Sequence, residues 1–424
     1  MSVIVKRFYT RLIIASGIGW LLDAMNVILI SYIVTLLIET WHLTITQSGI
    51  IILANSLGLL IGAILFGKVA DMIGRTTAFI ITLLIYSIFN GLSALSWNFI
   101  VFSLMRFFAG LGLGGELPVV ASLVNEWGTE SNRGPLVVLL ESFWAYGVVT
   151  AGLISRYVLI SIGWRLTLTI LTALAIYALV IRFTIPESPR WLIMKGKIER
   201  AKGLIMKYGF NESMFKDTVE IKIKGTISDL FNKDLRKRTV IAWILWFSIA
   251  FGYYGFLLWL PTALLYRGFS IVKSFTFSLI MTIFSIIGYY IAIYLINSLG
   301  RRGTLMLLFL ISVISALVFA YAYNISTLII SGSMLNLAMS GIWGGTIYAY
   351  TPELYPTSIR GVGTGSATAL ARVGMIIGPY IPVLLMGNFN YTMIIITMVF
   401  LIGFLTSIFA PETFRKQKQI TTIH

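Results

Sequence analysis

Four charged side chains, Asp23, Glu116, Glu141 and Arg372, stand inside long apolar stretches, and Arg106 is a fifth. A charge at the centre of a bilayer costs roughly 2.5–3.5 kcal/mol on insertion scales, so each needs a partner, a proton or a ligand. Asp23 lies about eleven residues into the apolar run 12–38, and Arg372 about eleven past Gly361. At 1.5 Å per residue both are about 16 Å deep, near the midplane. A guanidinium does not discharge in a protein, its pKa being above about 12. Arg372 therefore calls for an anion, either a ligand or one of the three carboxylates. Glu116 and Glu141 fall at similar depths, where two carboxylates can share a proton or each can bond a neighbouring helix. Arg106 and Glu116 are about 15 Å apart along one helix and cannot pair with each other. Asn26, three residues after Asp23, shares its face. Tyr253, Tyr254 and Trp343 offer an aromatic lining, although packing is the commoner role of such residues in membrane helices. The chemistry within reach is the binding of an anion and a proton at one depth.

The elements that must position these groups are membrane spans. The chain of 424 residues is 58% hydrophobic and 11% charged, against about 25% charged in ordinary soluble proteins, and its mean hydropathy is +0.91. Apolar runs near the roughly 20 residues that cross a bilayer fall at 12–38, 48–70, 76–96, 99–124, 134–158 and 164–184, then at 239–265, 272–296, 303–323, 326–350, 361–386 and 391–410. Pro261, Pro379 and Pro382 suggest locally broken helices. The expected fold is an all-α integral membrane protein of twelve transmembrane helices.

A short polar hinge, Gly67-Lys68-Val69-Ala70-Asp71-Met72-Ile73-Gly74-Arg75, organises these spans and recurs as Asn297-Ser298-Leu299-Gly300-Arg301-Arg302. Gly67 permits close helix approach, Gly74 a tight turn, and Asp71 can accept from N–H groups at a helix start. Two more landmarks repeat at nearly the same offset of about 226: Glu126 and Arg133-Gly134 with Glu353 and Arg360-Gly361, and Glu187 in Pro-Glu-Ser-Pro-Arg with Glu412 in Pro-Glu-Thr. Three landmarks in one order argue for a duplication. The expected organisation is a six-helix half at 1–185, a linker with short amphipathic helices at 186–238, a pseudo-symmetric six-helix half at 239–410 and a tail at 411–424.

The net charge of +16 would suit a nucleic-acid partner, but its placement argues against one. Of 32 Lys and Arg, only Arg156, Arg165, Arg267 and Lys273 fall on one side and Arg106 and Arg372 inside spans; the rest share the side of the termini. The positive-inside rule makes that side cytoplasmic. The chain has no cysteine and two histidines, His42 and His424, both outside the spans, which leaves little for a metal site. The first apolar run is too long for a signal-peptide core and reads as a retained span. No catalytic constellation is present, so neither an enzyme nor a cofactor is expected.

With these residues in view, the chain resembles the major facilitator superfamily over nearly its whole length. The hinge at 67–75 is similar to that superfamily's loop 2–3 signature, and the Pro-Glu motifs at 186–190 and 411–413 to landmarks of sugar porters and organic-ion transporters. Gly19-Trp20-Leu21-Leu22-Asp23-Ala24-Met25, Gly110-Leu111-Gly112-Leu113-Gly114-Gly115-Glu116-Leu117-Pro118 and Leu140-Glu141-Ser142-Phe143-Trp144-Ala145 resemble the metabolite:proton symporter group, which includes niacin and aromatic-acid permeases and is related to synaptic vesicle protein 2. Where members often carry a second acid three residues after the first, this chain has Asn26. The resemblance implies alternating access by two rocking halves around a midplane site, in a monomer of the plasma membrane. It implies a cytoplasmic latch in which Asp71 meets Arg133 and the start of the eleventh span, with Glu126, Arg133 and Glu187 echoed by Glu353, Arg360 and Glu412. Asn297 removes one charge from the second copy. The leading expectation is a proton-coupled importer of a small organic anion, held by Arg372 with Asn26, Tyr253, Tyr254 and Trp343, while Asp23, or else Glu116 or Glu141, carries the proton. A facilitator or exporter of sugars or organic ions, and a non-transporting receptor-like protein, are the alternatives.

Overall fold

The computed structural model describes residues 3–128, 133–173, 180, 184–210, 226–356 and 359–413. Among these there is no strand, and ten helices are long and apolar enough to cross a membrane. The first half of the chain contributes α1 (Val3–Thr40), α2 (Ile45–Ile73), α3 (Arg75–Ala94), α4 (Phe99–Trp127), α5 (Arg133–Ile154) and α6 (Ile160–Thr172). Two short helices, α7 (Pro189–Met194) and α8 (Ile198–Lys207), follow. Then come α9 (Lys233–Leu257), α10 (Leu260–Tyr266), α11 (Ile271–Ala320), α12 (Ile325–Ser340), α13 (Tyr348–Glu353), α14 (Arg360–Leu384) and α15 (Phe389–Ile408).

Two of the ten runs are divided by glycines in conformations other residues avoid. A π-helical turn, Ser155–Leu159, carries α5 into α6, where Gly163 has φ 78°. In the 50-residue α11 the break is Gly300, at φ 79° and ψ 178°. These breaks fall between the fifth and sixth, and the eighth and ninth, expected spans; the sixth runs on past Thr172 into residues outside those described. Helix starts follow the sequence where a polar side chain can take an orphan N–H: Asn98, Ser270, Asn324 and Asn388 cap α4, α11, α12 and α15, and Thr44 forms a capping box with Gln47.

The prolines divide in their effect. The helix breaks just before Pro261, where α9 gives way to α10, but Pro379 and Pro382 lie inside a continuous α14. The expectation of a broken helix is not met there because packing holds the run together. Gly374 and Gly378 seat α14 directly on the backbone of Phe247 and Phe251 in α9, and the Trp259 indole donates to the Pro379 carbonyl at 2.7 Å.

Close backbone approach also fixes α2 against α4. Gly58 and Gly62 sit on the carbonyls of Phe107 and Leu111, and Gly110 and Gly114 on those of Asn55 and Leu59. With no apolar driving force between helices in lipid, such small-residue contact supplies the packing. It fixes the position of α4, and with it Arg106 and Glu116. In the second part of the chain α11 packs most closely on α12 and α15, and α9 on α14 and α15. Across the two parts, α5 meets α11, α2 meets α14 and α1 meets α10.

Candidate functional site

The candidate residues gather in two clusters. In the first, Asp23 of α1 and Glu116 of α4 are 1% and 0% exposed, and their carboxyl groups face each other at hydrogen-bonding range. None of their four oxygens accepts from a donor group among the described residues. A hydrogen bond between two carboxyls would need a proton on one of them. Gly19, one turn before Asp23, leaves the room that the Glu116 carboxylate occupies. Asn26 turns its amide to the Tyr86 hydroxyl at 2.8 Å and to the Leu22 carbonyl at 3.0 Å. Arg106, fully buried, finds amides instead of an acid: it donates to Asn90 at 2.7 Å and Asn55 at 3.3 Å. The expected separation of Arg106 from Glu116 therefore holds, with Tyr86 between their fields.

The second cluster is aromatic and lies where α1 and α5 face α9, α12 and α14. Trp144 of α5 donates to the Tyr253 hydroxyl at 3.0 Å. Tyr253 stacks on Trp343, with ring centroids 5.6 Å apart and planes at 18°, while Tyr254 meets the same indole edge-on at 5.8 Å. Trp343 sits in a π-helical segment, Gly341–Ile347, between α12 and α13. Such segments are often found at functional sites. Trp20 packs on Trp144 at 4.9 Å and lies beside Glu141.

Arg372, on α14, lies beside this cluster. It forms no ion pair or hydrogen bond among the described residues, yet Glu141, Tyr254 and Tyr348 lie within reach of its charge. Glu141 is thus within reach of the charge on Arg372, whereas Asp23 faces Glu116. Sequence reasoning missed Trp20, Trp144 and Tyr348, and also Tyr289, whose ring lies against Gly344 of the π-helical segment. Trp20 and Trp144 stand three residues from Asp23 and Glu141, a helical spacing that could have flagged them; Tyr289 carried no signal.

The hinges are two copies of one arrangement. Arg75 donates through Nε and one terminal nitrogen to Glu126 at 3.1 and 2.9 Å, and through the other to Asp71 at 2.6 Å. Its backbone N–H donates to Glu187 at 2.9 Å. Arg301 repeats this with Glu353 at 3.1 and 2.9 Å and, through its N–H, with Glu412 at 3.0 Å. The hubs are therefore Arg75 and Arg301, and the Arg133 side chain lies outside the described residues. Gly74 (φ 110°) and Gly300 leave the places that the Glu187 and Glu412 carboxylates fill. Both adopt a backbone region costing other residues about 1–3 kcal/mol. Gly300→Ala is accordingly expected to lower stability by about that amount, read as a fall in melting temperature in detergent.

Asp71 does not reach α14, contrary to the expected latch; it turns to Arg75 on its own side, and its side chain is 69% exposed. The reason is the splay of the helices. α2 touches α14 at the face opposite the hinges, through Gly49 on Val383, and Ile45 meets Gly387 just past the end of α14, whereas Gly67 and Gly361 near the hinges have open space beside them. Thr35 with Thr262 at 2.7 Å, and Arg156 with Thr276 at 2.8 Å, close that opposite face further. These contacts close that face, and among the described residues none joins the Asp71 side chain to α14 at the hinge face. Asp71→Asn is expected to change the stability of this conformation by less than about 1 kcal/mol, as for an exposed pair, which chemical unfolding can check.

The comparisons agree with this architecture. The family model described as "Sugar (and other) transporter" matches residues 35–422. The chain is 36% identical over 406 residues to the niacin transporter NiaP of Acinetobacter baylyi, covering 94% of this chain and 92% of that protein. It is 29% identical to the synaptic vesicle 2-related protein of Xenopus laevis, over 96% of this chain and 78% of that one. Among solved structures, the xylose transporter XylE from E. coli in a partially occluded inward-open conformation matches with a TM-score of 0.74 at 19% identity, over 97% of this chain and 99% of that one. Helix order, paired hinges and family match converge: the chain belongs to the sugar (and other) transporter family of the major facilitator superfamily, and is a multi-pass membrane transporter of small molecules rather than an enzyme.

Proposed function

We propose that the chain imports a small aromatic carboxylate of the nicotinate type together with a proton, across the plasma membrane, by alternating access. The observation that carries this reading is Arg372, a cation without an ion-pair partner among the described residues, within reach of Tyr254 and Tyr348 beside the aromatic cluster of Trp343, Tyr253 and Tyr254. An aromatic anion satisfies both features, since its carboxylate meets the guanidinium and its ring meets the cluster. The niacin transporter named among the relatives supports the same class.

In this reading residues 1–185 and 239–410 move as two halves, joined by the linker 186–238, with both termini cytoplasmic and the chain acting as a monomer. The geometry then corresponds to a cytoplasm-open state, because the hinge face is the one rich in Lys and Arg. Asp71 would reach the other half only when that face closes, so Asp71→Asn should favour the open state. A cysteine placed in the cytoplasmic cavity should react faster in that variant; equal labelling rates would remove Asp71 from the latch.

Purified protein in liposomes tests the function itself. Internal unlabelled nicotinate should drive counterflow of labelled nicotinate, and an inward proton gradient should drive its accumulation. Counterflow without accumulation would leave a facilitator; neither, with nicotinate and benzoate both tried, would sink the carboxylate reading.

A further inference from the structure

At the hinge-face end of α9 a groove of about 370 Å³ runs between α9 and α15. Its floor is apolar, formed by Val240, Ile241 and Ile244 with Phe409 from the end of α15, and its rim is cationic, formed by Arg236 and Lys237. Phe409 is 67% exposed and Val240 41%. The rim belongs to a run in which Lys233, Arg236, Lys237 and Arg238 face a single acid, Asp234. Arg238 donates to the Leu354 carbonyl at 3.2 Å. Among the described residues Lys233, Arg236 and Lys237 enter no ion pair or side-chain hydrogen bond. The helix does not offset them either, because its own N-terminal end carries partial positive charge.

We propose that this groove holds an anionic phospholipid, its phosphate on Arg236 and Lys237 and an acyl chain along Val240, Ile244 and Phe409. A lipid fits where a soluble anion does not, because the site joins a cationic rim to an apolar channel at the level where a spanning helix leaves the membrane. An amphipathic protein segment would fill the channel but needs its own acids to meet the rim. The bilayer supplies both parts in one molecule. Bound there, the lipid bridges the first span of the second half to its last, and its headgroup neutralises charges that otherwise repel along α9.

The test uses the full chain in detergent, mixed with phosphatidylglycerol or phosphatidylcholine of the same acyl chains, and native mass spectrometry to measure the last lipid retained. The wild type should hold phosphatidylglycerol in preference to phosphatidylcholine. Each cation near a membrane surface contributes about fivefold, so Arg236→Gln with Lys237→Gln should reduce retention of phosphatidylglycerol roughly 25-fold and leave phosphatidylcholine unchanged. Both positions are exposed, and Arg236→Gln alone, at about fivefold, serves if the double variant is unstable. Val240→Trp, which fills the channel and keeps the charges, should reduce retention of both lipids. Unchanged phosphatidylglycerol retention in the charge variants would overturn the proposal, as would displacement of the lipid by millimolar inorganic phosphate, which would make the site one for a free anion.

Discussion

Arg372→Ala should weaken binding of nicotinate at least roughly thirtyfold while the protein stays monodisperse. The magnitude follows from removing one partner of a desolvated charge pair, which costs about 2–5 kcal/mol. The alanine variant loses the one cation that the described residues place beside the aromatic cluster, and Glu141, within reach of the vacated position, would then repel a carboxylate. Arg372→Lys keeps the charge but not the planar fork, and should fall between the two. Titration calorimetry with nicotinate, and with the uncharged nicotinamide as control, reads the difference. Nicotinamide binding should change far less. If the alanine variant binds nicotinate as the wild type does, Arg372 serves Glu141 alone and the substrate site lies elsewhere.

Much of this architecture was legible in the sequence, and the reasons are physical. Spans announce themselves because a bilayer requires about 20 apolar residues. The hinges did so because each packs a glycine, an arginine and two distant glutamates into one arrangement, so the letters recur wherever the arrangement does. The buried charges were equally visible, since a charge in an apolar run has few innocent reasons to be there. Depth along a helix could be counted, but the direction in which a side chain points could not. Asp23 and Arg372 share a depth, yet Asp23 turns toward α4 and meets Glu116, while Arg372 turns toward α5 and lies near Glu141. Nor could a sequence tell which conformation the halves adopt. On the proposed reading, the contact expected between Asp71 and the start of α14 would form only when the hinge face closes.

That separation decides which acid should couple transport to protons. Symport requires that substrate and proton favour each other's binding, and the coupling can be no larger than the interaction between their sites. Two unit charges at an effective dielectric of about 20 interact by about 4 kcal/mol at 4 Å and half that at twice the distance, so the acid near the anion has the advantage. Glu141 is that acid. On that reading, with the site empty its carboxylate would lie within the field of Arg372. On the proposed function, a substrate carboxylate that took over the arginine would leave Glu141 without its counter-charge, and a proton would then enter with the substrate. Glu141→Gln fixes the neutral form, and is therefore expected to abolish accumulation driven by an inward proton gradient while sparing counterflow. The Asp23 and Glu116 pair is the competing candidate, since two facing carboxyls can share a proton. Asp23→Asn and Glu116→Gln belong in the same liposome assay. If Glu141→Gln still concentrates nicotinate and either of the other two does not, the acid pair drives the coupling, and Glu141 acts only to position Arg372.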